Sequence, residues 1–207
     1  MHKHGPNMTY KPFALLLLLM SACTAQTQSP PNSVQSFTEN VRHFCGQAFA
    51  GKIVTTDAAD DAWRAEEIKM HVRDCSNDEI KIALHVGENR SRTWILRDED
   101  GVFELRHDHR HEDGSSDALT FYGGYLGRLT ETRAEFPADQ STKDLFDREN
   151  IPFDRENIPV SKANIWAMEA RPADNLFAYE MRRPNRDFRI EFDTANPIPA
   201  PPTPWGW

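Results

Sequence analysis

The chain has 207 residues, with 24 lysines and arginines against 32 aspartates and glutamates, which gives a formal net charge of −8 at pH 7. Nucleic-acid binding needs a basic face that neutralises phosphates, and no basic cluster offsets this acidic balance, so nucleic acid is excluded as a partner. The length is sufficient for one domain with a sizeable hydrophobic core.

The N-terminus has the pattern of a secretory signal. A lysine precedes a short apolar run from Phe13 to Met20, which is followed by small residues and Cys23. The run is too short to cross roughly 30 Å of hydrocarbon with margin, whereas a basic front, a short apolar centre and a small-residue exit are typical of a signal peptide. We therefore predict that residues 1–22 are a signal peptide, with a buried core helix as the alternative.

The exit SAC at 21–23 resembles the lipobox of bacterial lipoproteins, although Met20 stands where leucine is usual. The resemblance implies that Cys23 is acylated and becomes the new N-terminus. Thr24, which is not aspartate, then implies the outer membrane, with the domain facing the periplasm. Several acyl chains give an anchor that one chain cannot. The alternative is cleavage near Ala25, which would give a soluble secreted or periplasmic protein.

Two cysteines remain if Cys23 carries lipid. Cys45 and Cys75 are an even pair in an oxidising compartment, which predicts a disulfide. Its loop of about thirty residues would contribute on the order of 3 kcal/mol through loop-closure entropy. The alternative is two separately buried thiols.

The mature chain begins with a tether and a helix. Residues 23–35 are polar and contain prolines, which predicts a tether between the lipid and the domain. Ser36 and Glu39 fit a capping box, and Gly46 suits the end of the helix that follows. The helix has one apolar face, formed by Phe37, Val41 and Phe44. We expect that face to plug or cover a sheet.

From Phe49 onward, apolar and polar residues alternate in short runs separated by turn signals. The predicted strands are AGKIV, EIKMHVRDC, EIKIALHV, RTWILR, VFELRHDHRH, ALTFY, LTETRAEF, NIWAMEA, NLFAYEMRR and DFRIEFD. About ten short strands with short connections favour antiparallel pairing and a closed sheet. We predict a mainly all-β domain over residues 36–193, an up-and-down barrel with a short N-terminal helix. A β-sandwich is the alternative, and DQSTKDLFDREN predicts a short helix.

Two segments stand apart from this pattern. The heptad FDRENIP occurs at 146–152 and again at 153–159. A seven-residue repeat is too short for a solenoid unit. Extra residues in a surface connection cost little loop entropy, so we predict that the duplicated heptad lies in such a connection. Residues 194–207 form a tail rich in proline and tryptophan, in which Trp205 and Trp207 are candidate contacts for a partner.

Several blocks together resemble an uncharacterised family of secreted bacterial proteins. They are FCGQAFAGK, MHVRDC, LHVGENRSRTWIL, RHDHRHEDGSSD, FYGG, EFPAD, NIWAMEA and FAYEMRRPNRDFRIEFD. The resemblance spans nearly all of the mature domain and implies no reaction, cofactor or site residue. The doubled heptad and the tail depart from the family pattern. The predicted barrel is similar in architecture to calycin-like folds. This likeness rests on the number of strands and not on a shared motif.

The predicted strand VFELRHDHRH carries three histidines at alternate positions, His107, His109 and His111. Alternate residues share a face, so the imidazoles continue the apolar face toward one end of the sheet, such as a barrel mouth. Neighbouring imidazoles can share one zinc or copper ion. The outer two are roughly 13 Å apart and cannot, without a bulge. A metal site therefore needs a further ligand, for which the candidates are His71, His85, Glu112 and Asp113.

The alternative for this stretch is a hydrogen-bonded network without chemistry. Its available members are Arg90, Arg92, Arg106, Arg110, Asp108, Asp113 and Asp117. On the next strand Arg92 and Trp94 share a face and could line a cavity, although ordinary packing explains them equally. Tyr122, followed by two glycines, marks a strand end or bulge and is a further candidate for the lining.

No GxSxG, P-loop or Rossmann fingerprint is present, so no catalytic residue is assigned. Three functions remain open. The first is a lipid-anchored module whose barrel binds a small apolar or amphipathic ligand. The second is a metal-binding protein that uses the histidine strand, and the third is an envelope structural or interaction protein. A filled barrel interior would contradict the first, and the lack of a third ligand near two histidines would contradict the second.

Overall fold

The computed structural model describes residues 1–2, 33–149 and 158–207. The chain divides into two compact units, Met1–Pro30 and Pro31–Trp207, and nearly all described residues belong to the second. The apolar run of the predicted signal, Cys23 and most of the second FDRENIP copy lie outside the described residues. Within the described residues, no helix combines the length and the apolar character needed to cross a membrane.

The described part of the chain is mainly β, with eleven strands and four short α-helices. The strands are β1 (Ala48–Ile53), β2 (Ile68–Cys75), β3 (Glu79–Val86), β4 (Asn89–Glu99), β5 (Val102–His109), β6 (Tyr122–Tyr125), β7 (Arg128–Leu129), β8 (Arg133–Pro137), β9 (Ile165–Arg171), β10 (Leu176–Arg183) and β11 (Arg186–Ile198). The helices are α1 (Ser33–Arg42), α2 (Asp61–Arg64), α3 (Gln140–Arg148) and α4 (Ile158–Ser161), and 3₁₀ turns lie at Ala58–Asp60 and Pro172–Asp174.

The eleven strands form one antiparallel sheet in the order β6-β5-β4-β3-β2-β1-β11-β10-β9-β8-β7. Strands consecutive in the chain are neighbours throughout, except that β11 pairs with β1 and β6 does not pair with β7. The chain itself joins the two edges, because β6 pairs with β5 while β7, two residues later, pairs with β8. The predicted all-β, up-and-down, barrel-like fold is confirmed. The alternative, a β-sandwich, has two packed sheets, whereas the structure has one curled sheet.

The join between the sheet edges depends on close approach of two backbones. The carbonyl oxygen of Gly123, in β6, accepts the N–H of Asp139, just after β8, at 3.2 Å. A Cβ atom on Gly124 would collide with the carbonyl oxygen of Pro137. The glycine pair after Tyr122 therefore marks the place where β6 approaches the end of β8, because only a residue without a side chain fits there.

Helix α1 closes one end of the curled sheet. The ring of Phe37 lies 6.1 Å from that of Phe103, and the ring of Phe44, just after the helix, lies 5.6 Å from that of Phe49. Full burial of such a side chain contributes about 1.5–3 kcal/mol. The helix predicted to plug the sheet is thus present, and it begins at Ser33, three residues before the predicted start.

A cysteine pair fixes α1 to the sheet. The sulfur atoms of Cys45 and Cys75 lie at disulfide distance, with their Cα atoms 6.4 Å apart. Cys45 follows α1 and Cys75 ends β2. Between α1 and β1 the chain turns at Gly46, whose φ of +78° is in the left-handed region that favours glycine.

Two predicted strands are shorter than the alternation suggests. Within ALTFY only Tyr122 belongs to a strand. The carboxylate of Asp117 accepts the backbone N–H two residues on, and Phe121 has a φ of +56°, so the chain turns here. Within LTETRAEF the hydroxyl of Thr130 accepts the N–H of Arg133 at 3.0 Å, which forms the turn between β7 and β8.

The C-terminal tail packs on the outside of the sheet. β11 continues to Ile198, so the tail begins later than predicted. The N–H of Trp205 donates to the carbonyl oxygen of Arg90 at 3.1 Å, and Nε1 of Trp207 donates to the buried carboxylate of Asp108 at 3.1 Å. The tail that we predicted as a partner contact therefore contacts its own domain.

Candidate functional site

A cavity of about 560 Å³, here called the mouth cavity, lies at the end of the sheet opposite α1. Along β5, Phe103 contacts α1, whereas His107 and His109 line the cavity. Seven aromatic side chains contribute to its wall: Trp63, Trp94, Tyr122, Phe146, Trp166, Tyr179 and Phe188. A concave, mainly apolar wall with a few polar groups is characteristic of small-molecule sites.

The central strands place their cavity residues by simple alternation. In the β4–β5 pairing, Arg92 stands opposite His109 and Trp94 stands opposite His107, all facing the interior. Trp94 is 2% exposed and stacks on Tyr179 of β10, with ring centroids 4.2 Å apart and planes within 17°. Stacked aromatic pairs of this kind add to the stability that burial alone provides.

A buried ion pair holds one side of the rim. Nη1 of Arg186 donates to the carboxylate of Asp60 at 2.8 Å, and Asp60 is 5% exposed. The pair ties the 3₁₀ turn before α2 to β11. Trp63 of α2 then packs edge-on against Phe188, with ring centroids 5.7 Å apart. The rim is therefore a fixed wall, because separating the pair would leave a buried charge uncompensated.

His107 is fully engaged by protein groups. Its Nδ1–H donates to the carbonyl oxygen of Tyr122 at 3.1 Å, so Nε2 is unprotonated and accepts the hydroxyl of Tyr179 at 2.7 Å. Its ring also stacks on that of Tyr122, at 4.7 Å and 10°. Burial, with a smaller effect of His109, lowers the pKa of His107 to about 3. The imidazole is therefore neutral at physiological pH.

His109 lies nearer the rim and shares a hydrogen bond with Tyr122. The distance from Nε2 to the tyrosine oxygen is 3.1 Å. Burial, and then the charge of Arg92, lowers the pKa of His109 to about 4. Burial raises the pKa of Tyr122 to about 12. Both groups are neutral at pH 7, so this network adds hydrogen bonding and no charge to the cavity wall.

Arg92 is the positive group of the inner wall. Its guanidinium lies over the ring of Trp63, 4.6 Å from the centroid. Its Nη1 donates to the side-chain oxygens of Asn89 and Ser91, each at 3.1 Å. Within the described part of the chain, no carboxylate lies within ion-pair distance of it. Burial lowers the pKa of Arg92, and the carboxylate of Asp117, which also lines the cavity, partly opposes that shift.

All three residues predicted to line a cavity do so. Arg92, Trp94 and Tyr122 belong to the wall of the mouth cavity, and so do the first two histidines of the strand, His107 and His109. The two imidazoles thus lie on the inner face of the sheet, at the wall of the cavity. Binding of a ligand by these residues stays a prediction.

The third histidine does not join the other two. β5 ends at His109, and the chain then turns, because the carboxylate of Asp113 accepts the N–H of Ser115 at 2.9 Å and Gly114 has a φ of +85°. His111 is consequently exposed and lies outside the cavity wall, so the expectation that it shares a face with its neighbours is wrong.

The other ligands proposed for a metal are dispersed. His71 and His85 alternate with core residues of β2 and β3 and so face outward, while Glu112 and Asp113 are exposed in the loop after β5. Among the described residues, no group of three or more histidines, cysteines, aspartates or glutamates is placed to hold a metal ion. On the outer face of β5, Arg110 pairs with buried Asp108 at 2.9 Å, as in the predicted network.

Several wall residues were not identified from the sequence. They are Trp63, Phe146, Trp166, Tyr179 and Phe188. The last three lie on the apolar faces of predicted strands, but only the strand register shows which end of the sheet they occupy. Phe146 belongs to the first FDRENIP copy, which we placed in a surface connection. It lies in α3, is 6% exposed and packs 5.6 Å from the ring of Tyr122.

Comparison with protein-family models, with curated proteins and with solved structures finds no match for this chain. The functional argument therefore rests on the geometry and chemistry of the mouth cavity.

Proposed function

We propose that this protein is a binding module of the bacterial cell envelope that holds a small apolar or amphipathic molecule in the mouth cavity. The observation that carries the proposal is the cavity itself, about 560 Å³ bounded mainly by aromatic side chains. Its volume falls in the range of roughly 300–1,000 Å³ that small-molecule sites occupy. An apolar wall gains free energy when an apolar molecule displaces water from it.

The wall is prepared for a ligand before one arrives. Both ring nitrogens of His107 are satisfied by Tyr122 and Tyr179, and the Arg186–Asp60 pair fixes the rim. Side chains already held by the protein lose little further freedom on binding, which favours affinity. These polar groups also define an orientation for an amphipathic molecule, because they are concentrated on part of an otherwise apolar wall.

We infer export and lipid anchoring from the N-terminus. The short apolar run and the lipobox-like exit at Cys23 support them, and the Cys45–Cys75 pair at disulfide distance fits an oxidising compartment. Lipid at Cys23 would hold the domain at the outer membrane, facing the periplasm. A soluble secreted or periplasmic form is the alternative, and labelling with radioactive palmitate in wild type and Cys23→Ser distinguishes them.

Binding is tested with N-phenyl-1-naphthylamine, a neutral fluorophore that brightens in apolar surroundings. We expect saturable binding at one site per chain and a higher melting temperature. Leu119→Trp fills the cavity from its rim and should remove the site. Val102→Trp is the matched control, because Val102 is 49% exposed and does not line the cavity. The proposal would be overturned if folded wild-type protein did not increase the fluorescence of N-phenyl-1-naphthylamine.

A further inference from the structure

The charges around the mouth cavity are unevenly paired. Arg186 and Asp60 neutralise each other at the rim. Of the other charged residues in the wall, Arg92 and Asp117 do not pair with each other within ion-pair distance. Asp117 sits in the loop after β5, and its carboxylate accepts the N–H of Leu119 at 2.8 Å. Arg92 sits in β4, within the wall, and is the more deeply placed of the two.

The guanidinium of Arg92 retains donors for a further partner. Within the described part of the chain, its hydrogen bonds come from Nη1 and end on the uncharged side chains of Asn89 and Ser91. Stacking on Trp63 holds the guanidinium plane in place. A partly desolvated guanidinium gains from a bidentate partner with negative charge, and its planar fork matches a carboxylate.

The neighbouring polar groups do not compete with Arg92 for an anion. His107 and His109 are neutral at pH 7, since burial lowers their pKa values to about 3 and about 4. The hydroxyl of Tyr122 is protonated at that pH and is hydrogen-bonded to Nε2 of His109, so it carries no charge either. The positive charge of the inner wall is therefore concentrated on one residue.

We propose that the molecule held in the mouth cavity is an organic anion with an apolar body, whose carboxylate pairs with Arg92. This rests on the proposed function and names its ligand class. The apolar body follows from the wall, to which seven aromatic side chains contribute. Removal of apolar area from water favours the binding of such a body.

The test uses two fluorescent probes that differ only at the head group, 1-pyrenebutyrate and its neutral counterpart 1-pyrenebutanol. Each is titrated into the full chain at pH 7, with tryptophan-sensitised pyrene emission as the signal. A charge-assisted hydrogen bond is stronger than a neutral one by an amount that corresponds to about tenfold in affinity. We therefore expect wild type to bind the carboxylate about tenfold more tightly than the alcohol.

Three variants locate that preference. Arg92→Gln should lose it, because affinity for the carboxylate should fall about tenfold more than affinity for the alcohol. Asp117→Asn removes the competing negative charge and should strengthen binding of the carboxylate alone. Arg90→Gln is the matched control on the same strand: Arg90 donates to the carbonyl of Thr203 and does not line the cavity, so the preference should persist.

The outcomes separate the two proposals. Equal affinities of wild type for the two probes would overturn the anionic ligand and leave the binding function standing. Failure of both probes to bind the folded wild type would overturn both. If Arg92→Gln does not fold, the comparison within wild type and the opposite shift expected for Asp117→Asn still decide the matter.

Discussion

We predict that the domain loses stability as the pH falls from 7 to 5, because His85 and His107 are buried and His109 is half-buried. Burial lowers the pKa of His107 to about 3, and burial followed by a neighbouring arginine lowers the pKa values of His109 and His85 to about 4, all from an ordinary value of 6.5. As the pH falls, the unfolded chain takes up these protons first. The free energy of unfolding is therefore complete above pH 6.5 and decreases below it, until the folded-state pKa values are reached.

The size of the loss follows from the same values. Between pH 6.5 and 5 the folded state keeps the imidazoles neutral while the unfolded state becomes protonated, so each histidine costs about 2 kcal/mol of stability at pH 5. A loss of about 2 kcal/mol from one histidine is already a substantial part of the stability of a typical domain. Carboxylates with lowered pKa values also make the free energy of unfolding fall as the pH falls, but only at lower pH.

Urea unfolding followed by tryptophan fluorescence, at steps from pH 7.5 to 5, measures this dependence. His107→Gln keeps a polar group of similar size but cannot titrate, so its curve of unfolding free energy against pH should be flatter by about 2 kcal/mol over this range. His111→Gln is the control, because His111 is exposed and should leave the slope unchanged. A wild-type stability that is level from pH 7 to 5, or an equal slope in His107→Gln, would refute the reasoning.

Three further predictions concern the rest of the molecule. Replacing both Cys45 and Cys75 by serine should cost on the order of 3 kcal/mol in urea unfolding, since the pair closes a loop with a sequence separation of 30; an unchanged midpoint would contradict this. Trp207→Phe removes the donor to buried Asp108 and should cost about 1–2 kcal/mol, whereas no change would mean that the tail is not docked. Cys23→Ser should abolish palmitate labelling, and equal labelling of both chains would contradict the lipoprotein prediction.

The sheet and its inward faces were predictable from the sequence because period-two alternation is a local property. Ile80, Ile82 and Leu84 occupy alternate positions of β3, and all three are buried. The same rule put Trp94 and His107 on the inner face before any pairing was known. The curl of the sheet could be predicted only in kind, because the alternation does not mark the close approach of Gly124 to the carbonyl oxygen of Pro137.

The parts of the site that escaped prediction depend on register and on local turns. Alternation extended β5 to His111, but the Asp113 turn ends the face at His109. Trp63 lies at the rim next to a turn that the Asp60–Arg186 pair holds, and these two residues are 126 apart in the chain. Neither a hydrogen-bonded turn nor a long-range ion pair leaves a periodic trace in the sequence, so such contacts become visible only in three dimensions.

The most direct test of the account is native mass spectrometry of the full chain, isolated from the cell envelope without denaturation and without added ligand. The account predicts that wild type carries one noncovalent organic molecule, which is released on activation and is identified as an anion. Leu119→Trp, with the mouth cavity filled, should carry none, and Val102→Trp should carry it as wild type does. A wild-type chain with no organic adduct, or an equal adduct on Leu119→Trp, would contradict the claim that the mouth cavity is a ligand site.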